Sequence, residues 1–300
     1  MSREIAELAR EARLLAIRSR RQAGELFAGA YASAFRGGGM EFEESRPYVP
    51  GDDVRSLDWN ATARTGEPHV KRFREERDRS VVVVVDTSAS MAFASGVRSK
   101  AETAARAAAL LVAAAGHAGD KVGLVAFDDT VHTEVRPRRG PAHTWAALRT
   151  AAATGQSPRG ATHAGPALER ALHLASRRAV LFLVSDFRDA SFLGGPLAAA
   201  CDRHDVVAVA IEDPRERSLP AAGTLRVRDP EQPGSSFVLA TGSARVRALY
   251  AAAAAVRRRA LARRLRAAGA DLLHLSSDED PLRALSRFFR ARAAHTRRAA

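Results

Sequence analysis

Cysteine is almost missing from this chain of 300 residues, and Cys201 is the only one. Intramolecular disulfides and a cysteine-based zinc site are therefore excluded, and a reducing compartment fits. Lysine is nearly missing too. Lys71, Lys100 and Lys121 are the only lysines among 47 basic residues, so arginine carries the formal net charge of +13. No apolar run approaches the roughly 18 residues that span a bilayer. The segment MSREIAELAREARLLAIRSRRQ is charged throughout, unlike a secretory signal, so the cytoplasm is the expected location. No GxGxxG follows the first buried strand, which disfavours dinucleotide binding, and no GxxxxGK(S/T) occurs, which excludes a P-loop ATPase. The nine histidines show no HExxH or comparable spacing.

What is present is a core-forming pattern. The chain is 46% hydrophobic, enough for one large α/β domain with an extension, or for two domains. Five valines, Val81–Val85, read as a strand buried on both faces, as in a parallel sheet. Further strands are expected at 122–127, 180–184, 206–211 and 272–275, with helices between them. Ser99-Lys100-Ala101-Glu102 has the form of a capping box opening a helix to Gly116. Helices are also expected at about 143–153, from Thr162 through Leu174, near 196–203, over 243–267 and from Pro281, with a hairpin pairing 224–228 with 236–240. This alternation specifies an α/β fold, a doubly wound, mostly parallel, Rossmann-like sheet. Ahead of it, residues 3–28 read as a helix, broken at Arg36-Gly37-Gly38-Gly39. A polar, turn-rich block follows over 40–79, with short strands near 68–76. The expected division is a small helical and irregular extension, 1–79, and an α/β domain, 80–300.

The valine strand runs into Asp86-Thr87-Ser88-Ala89-Ser90. Open α/β sheets bind ligands at the carboxyl ends of their strands, and oxygen ligands at alternate positions suit Mg²⁺ or Mn²⁺. Asp and Ser after a strand also serve as turn formers and caps. The strand map separates the two readings. Asp186 ends another central strand after VLFLVS, on the same sheet edge, and Thr162 opens the helix between them. Asp86, Ser88, Ser90, Thr162 and Asp186 thus form a candidate metal site from three separated segments.

DxSxS, then Thr, then Asp over residues 80–186 resembles the metal-ion-dependent adhesion site of von Willebrand factor A-like domains. That resemblance implies Ser88, Ser90 and Thr162 as direct ligands of Mg²⁺ (or Mn²⁺). Asp86 and Asp186 would act directly or through water, with one position left for a partner's carboxylate. Gly160-Ala161-Thr162 departs mildly from the usual Gly-Gly-Thr loop. GGGMEFEESRPYVPGDDVRSLDWNATARTGEPHVKRFREERDRSVVVVVDTSASM, with Asp213-Pro214-Arg215-Glu216 and the segment Leu285–Arg292, resembles the domain-of-unknown-function 58 family, bacterial proteins with an A-like domain behind a family-specific block. Members are often encoded beside AAA+ ATPases of the MoxR class. The resemblance implies an adaptor or co-chaperone with such an ATPase as partner, and Arg46, Tyr48, Asp52, Asp53, Arg55, Asp58 and Trp59 as its docking residues.

Catalysis is not expected, although two other readings exist. A hydrolase could use a carboxylate cluster of Asp52-Asp53 with Asp58 and His69, or the metal site itself could activate water, but PGDD is also an ordinary turn and Asp58-Trp59-Asn60 a helix cap. Asp128 and Asp129 are only loosely placed as bases. A nucleic-acid role rests on charge alone: from Arg245 onward 14 arginines face four acids. They wrap most of a helix without a recognition motif and read as a solvated surface. Cys201 reads as packing.

Overall fold

The computed structural model describes residues 18–19, 25–35, 40–53, 56–75, 79–156, 158–175, 178–232 and 234–299. Contacts divide the chain into residues 36–78 and a larger unit made of the remainder. The helix α1 (Glu25–Ala34) belongs to the larger unit. Most of the helix expected at 3–28 lies outside the described residues, and the described part runs on past residue 28.

In the smaller unit β1 (Met40–Pro47) pairs antiparallel with β2 (His69–Glu75), and α2 (Trp59–Thr65) lies between them in sequence. The Asp58 carboxylate accepts hydrogen bonds from the Asn60 and Ala61 amides and so caps α2. The helix ends at Gly66, whose φ of 80° favours glycine. The charge-rich β1 lacks the apolar alternation that marks a strand, which is why the sequence reads there as irregular.

The larger unit holds a six-stranded sheet. In chain order it contains β3 (Ser80–Asp86), α3 (Lys100–His117), β4 (Lys121–Phe127), β5 (Val131–Arg138), α4 (Pro141–Ala153), α5 (Ala164–Leu174), β6 (Val180–Ser185), α6 (Gly195–Arg203), β7 (Asp205–Glu212), α7 (Pro214–Arg217), β8 (Thr224–Arg228), β9 (Ser236–Ala240), α8 (Ala244–Ala267), β10 (Asp271–Ser276) and α9 (Pro281–Ala299). The strand order is β10-β7-β6-β3-β4-β5, all parallel except β5. The strands β8 and β9 form a separate hairpin in the expected register.

β5 corrects the expectation that every connection is helical. The turn through Asp128, where the Thr130 amide donates to the Asp128 carboxylate, folds β5 back against β4. Pro137 and exposed charges disguise it, and such residues are tolerated only on an edge strand. Gly123 of β4 admits it, since a Cβ there would lie 2.8 Å from Pro137 Cγ and 2.9 Å from the Val135 carbonyl. A smaller shift concerns Thr162, which precedes the helix it was expected to open.

β3 sits mid-sheet, paired with β4 on one side and β6 on the other. Its side chains alternate between two cores. Val81, Val83 and Val85 pack with residues of α1, α3, α4 and α9, and Val82 and Val84 with residues of α5 and α6. All seven residues of β3 are buried. On the first face Phe289 of α9 is fully buried among Phe27, Tyr31, Phe35 and Phe182, with ring centroids 5.6–6.3 Å away. Tyr31 Oη donates to Asp120 Oδ2 at 2.8 Å, and Arg79 donates to the same carboxylate.

Phe289→Ala is expected to destabilise the fold by about 3–5 kcal/mol in urea denaturation, because a ring joining two helices to the sheet is lost. Val97→Ala, at a fully exposed position, should stay within about 0.5 kcal/mol.

Candidate functional site

The end of β3 is the first place where this strand can carry a charge. Asp86 is 1% exposed. Its Oδ2 accepts from Ser185 Oγ at 2.6 Å and its Oδ1 from the Ser88 amide at 2.9 Å. Among the described residues no cation pairs with it. Burial, and then the nearby charge of Asp186, push the Asp86 carboxyl up to about 6. Ser88 Oγ and Ser90 Oγ lie 3.0 Å apart, at the start of a short 3₁₀ turn over Ala89–Ala92.

The loop ahead of α5 is tied to this turn by backbone. Ala89 N–H donates to the Gly160 carbonyl at 3.0 Å, and Arg159 N–H to the Thr87 carbonyl at 2.9 Å. Gly160 has φ of 73°, and a Cβ there would stand 3.3 Å from Asp128 Cβ, so glycine suits both the backbone and the space. His163 N–H donates to the Asp128 carbonyl, which fixes the next residues beside the end of β4. Thr162 is therefore delivered to the same edge as Asp86, Ser88 and Ser90. Its hydroxyl donates to Glu231 Oε1 at 2.6 Å and its amide to Oε2 at 3.3 Å. The first amides of α5 are satisfied from elsewhere: Ala164 N–H donates to Asp189 and Ser191, and Gly165 N–H to Ser191.

Asp186 ends β6 on this edge, but its charge is already answered. Lys100 Nζ donates to Asp186 Oδ2 at 2.6 Å and to Glu216 Oε1 at 2.8 Å, and Asp186 Oδ1 accepts from the Arg188 amide at 3.1 Å. The Lys100 side chain is 1% exposed. Burial alone would lower its pKa, but the two carboxylates outweigh that and raise it, so it stays charged. The next residue, Phe187, has φ of 55° and is the only non-glycine with positive φ among the described residues. Such strain beside a candidate site is a recurrent feature of functional positions.

Lys100 is one residue that sequence reasoning missed. The expected capping box is present, with Ser99 and Glu102 capping each other, and the lysine within it was read only as a helix residue. The signal was a lysine kept in a chain that otherwise uses arginine. Asp213-Pro214-Arg215-Glu216 also does more than turn the chain. Glu216 reaches Lys100, while Asp213, fully buried, accepts from the Ser95 amide and hydroxyl and from Ser277 Oγ. Burial would raise the Asp213 pKa, yet these hydrogen bonds hold it below the usual range. The loop after the serines is thereby anchored to the ends of β7 and β10.

In the smaller unit, Arg46 and Asp52 pair through two hydrogen bonds of 2.7 and 2.8 Å. Asp58 is the cap already described, Asp53 and Trp59 are exposed, Tyr48 is half-buried, and Arg55 lies outside the described residues. His69 Nδ1 lies 2.8 Å from the Glu67 carbonyl. Asp52 and Asp58 thus hold the unit's own backbone and side chains, as the turn and cap reading expects. Burial pushes the Cys201 thiol up to about 11, which suits packing. No group of three His, Cys, Asp or Glu residues is placed to hold a metal among the described residues.

Two outcomes follow from these charges. Lys100→Met leaves Asp186 and Glu216 without their shared cation and should cost about 3–5 kcal/mol in urea denaturation. Asp86, with its folded pKa raised to about 6 from 3.8, favours the fold when protonated. Its contribution is complete below pH 3.8, is lost as the pH rises through about 6, and is worth about 3 kcal/mol. In chelator, Asp86→Asn should therefore be more stable than wild type at pH 7 and show a flatter stability profile between pH 4 and 7.

The family described as "Protein of unknown function DUF58" matches residues 44–260. Uncharacterized proteins of Mycobacterium bovis and Mycobacterium tuberculosis are each 34% identical over 287 residues, 95% of this chain and 90% of theirs. The solved structure of a conserved hypothetical protein, BatB, from Bacteroides thetaiotaomicron covers 72% of this chain and 99% of that one, at 16% identity and a TM-score of 0.47. An aerotolerance-related membrane protein of Bacteroides fragilis overlaps to the same extent, with a TM-score of 0.46. No helix among the described residues is long and apolar enough to cross a membrane. With the family matching well over half its length, and with relatives alike along nearly all of it, this chain belongs to the domain-of-unknown-function 58 family.

Proposed function

We propose that this protein is a cation-dependent protein-interaction module of the von Willebrand factor A-like type. Its partners would be a MoxR-type AAA+ ATPase and an acidic side chain of a client. The observation that carries the proposal is the gathering of Asp86, Ser88, Ser90 and Thr162 on one sheet edge, around a buried carboxylate that no cation answers among the described residues. Oxygen ligands 2.0–2.1 Å from Mg²⁺ in an octahedron stand about 2.9–3.0 Å apart along an edge. The two serine hydroxyls are separated by 3.0 Å, so the residues present fit such an ion. Ser88, Ser90 and Thr162 would hold it directly. Asp86 and Asp186, already held by Ser185 and Lys100, would orient its waters and supply negative charge. The strand order, with β3 between β4 and β6 where the connections change direction, supports the A-like reading, since ligands bind at such switch points.

A bound ion would supply a Lewis-acidic position for an incoming carboxylate. The protein's part is to fix the hydroxyls and the carboxylates around them. A hydrolytic role has less support. Asp128, a carboxylate at the end of β4, accepts from the Thr130 amide and lies 3.9 Å from Arg159 Nε, leaving it poorly free to act as a base. The family resemblance supports the ATPase partnership, with the exposed Trp59 of the smaller unit as a contact.

Calorimetric titration with Mn²⁺ should show one site in wild type and none in Asp86→Ala or Ser88→Ala, with the fold retained by circular dichroism. A MoxR-type AAA+ ATPase from the same cell should co-purify in Mg²⁺ and be lost in chelator or with Asp86→Ala. Equal capture under all three conditions would sink the cation-dependent reading.

A further inference from the structure

Glu231 occupies a place that the site's own logic leaves open. It lies in the turn joining β8 to β9, 69 residues from Thr162 in sequence. Both of its carboxylate oxygens meet Thr162, one through the hydroxyl and one through the amide. Its backbone is set for this by an Asx turn, in which the Glu231 amide donates to Asp229 Oδ1 at 2.9 Å. The base of the hairpin is closed by Gly242 N–H on the Gly223 carbonyl and by Thr241 Oγ1 on the same carbonyl.

The hairpin itself has little to hold it down. No residue of β8 or β9 is buried, and Phe237 and Val238 are 53% and 60% exposed. A lone two-stranded ribbon is marginal in water. A ribbon so exposed, with a half-buried glutamate at its tip, has its tip contact placed at the one hydroxyl of the candidate site that comes from outside the Asp86–Ser90 turn.

Resting on the cation-site reading above, we infer that Glu231 is a carboxylate ligand supplied by the chain itself. It fills the position otherwise taken by a partner's acidic side chain, and it must leave before such a side chain can bind. The hairpin is then a displaceable stand-in that couples the occupancy of the site to its own position. The competing structural role is a plain one, in which Glu231 satisfies the Thr162 amide ahead of the α5 N-terminus.

Mn²⁺ alone is the probe, with the full chain, and water-proton relaxation counts the waters on the bound ion. Glu231→Gln is expected to add about one water to bound Mn²⁺ and to weaken its binding about tenfold. Acetate should remove that extra water in Glu231→Gln at concentrations that leave wild type unchanged. Amide exchange over 229–235 should slow on adding Mn²⁺ to wild type but not to Glu231→Gln. If Mn²⁺ binds wild type and Glu231→Gln with the same affinity and hydration, Glu231 is only a cap, and the inference fails while the cation site stands. If Mn²⁺ does not bind wild type at all, the cation site fails and Glu231 has no ion to ligate.

Discussion

β3 is sealed on both faces, and most of the polar architecture of the larger unit follows from that. A strand with seven buried residues has no lateral place for a charge, so its first polar groups gather at its carboxyl end. There Asp86 has little water, and two donors, Ser185 Oγ and the Ser88 amide, satisfy its oxygens. The adjacent strand β6 ends in a second carboxylate, Asp186, on the same edge. Two buried carboxylates side by side demand a cation, and Lys100 supplies one to Asp186. Lys100 can do so because it is the first residue of α3, and the Ser99–Glu102 box fixes where α3 begins.

Lysine is the suitable cation in that position. Its single nitrogen, on a flexible stem, reaches Asp186 and Glu216 from within the protein. The planar guanidinium that fills the rest of this chain would need a wider set of acceptors. The turn that delivers Glu216 also delivers Asp213, so one short motif anchors both the lysine and the loop beyond the serines. The loop bordering the candidate edge is thus tied to the ends of β7 and β10, which limits the entropy it would lose were a ligand to bind there.

The fold was largely legible in the sequence wherever burial wrote a period. Val81–Val85 could only be a central strand, and the hairpin of β8 and β9 lies where the turn residues placed it. β5 was not legible, because an edge strand needs to satisfy only one neighbour and can carry Pro137 and charge. β1 escaped for the same reason. The places of Asp86, Ser88, Ser90 and Asp186 at strand ends on one sheet edge were legible because strand ends are marked locally. Lys100 and Glu231 were not. Each acts through a contact between segments distant in sequence, and nothing in their own neighbourhoods announces a distant carboxylate or hydroxyl. Thr162 is expected to open a helix, whereas it stands just ahead of one, where its amide and hydroxyl meet Glu231.

The distribution of charge along this edge divides it in two. On the Lys100 side, one ammonium serves Asp186 and Glu216, and Arg188 adds a second contact to Glu216 at 3.2 Å. Negative and positive groups nearly balance there. On the side of Asp86 and Glu231, two carboxylates accept hydrogen bonds from hydroxyls and amides among the described residues, so on the proposed reading a divalent ion would sit in that half. Lys100 and a divalent ion would therefore not compete for one place. The lysine would hold Asp186 still while the ion gathered the hydroxyls, and the carboxylate completing its shell would come from whichever source was nearer: the hairpin at rest, or a partner with enough affinity to displace it.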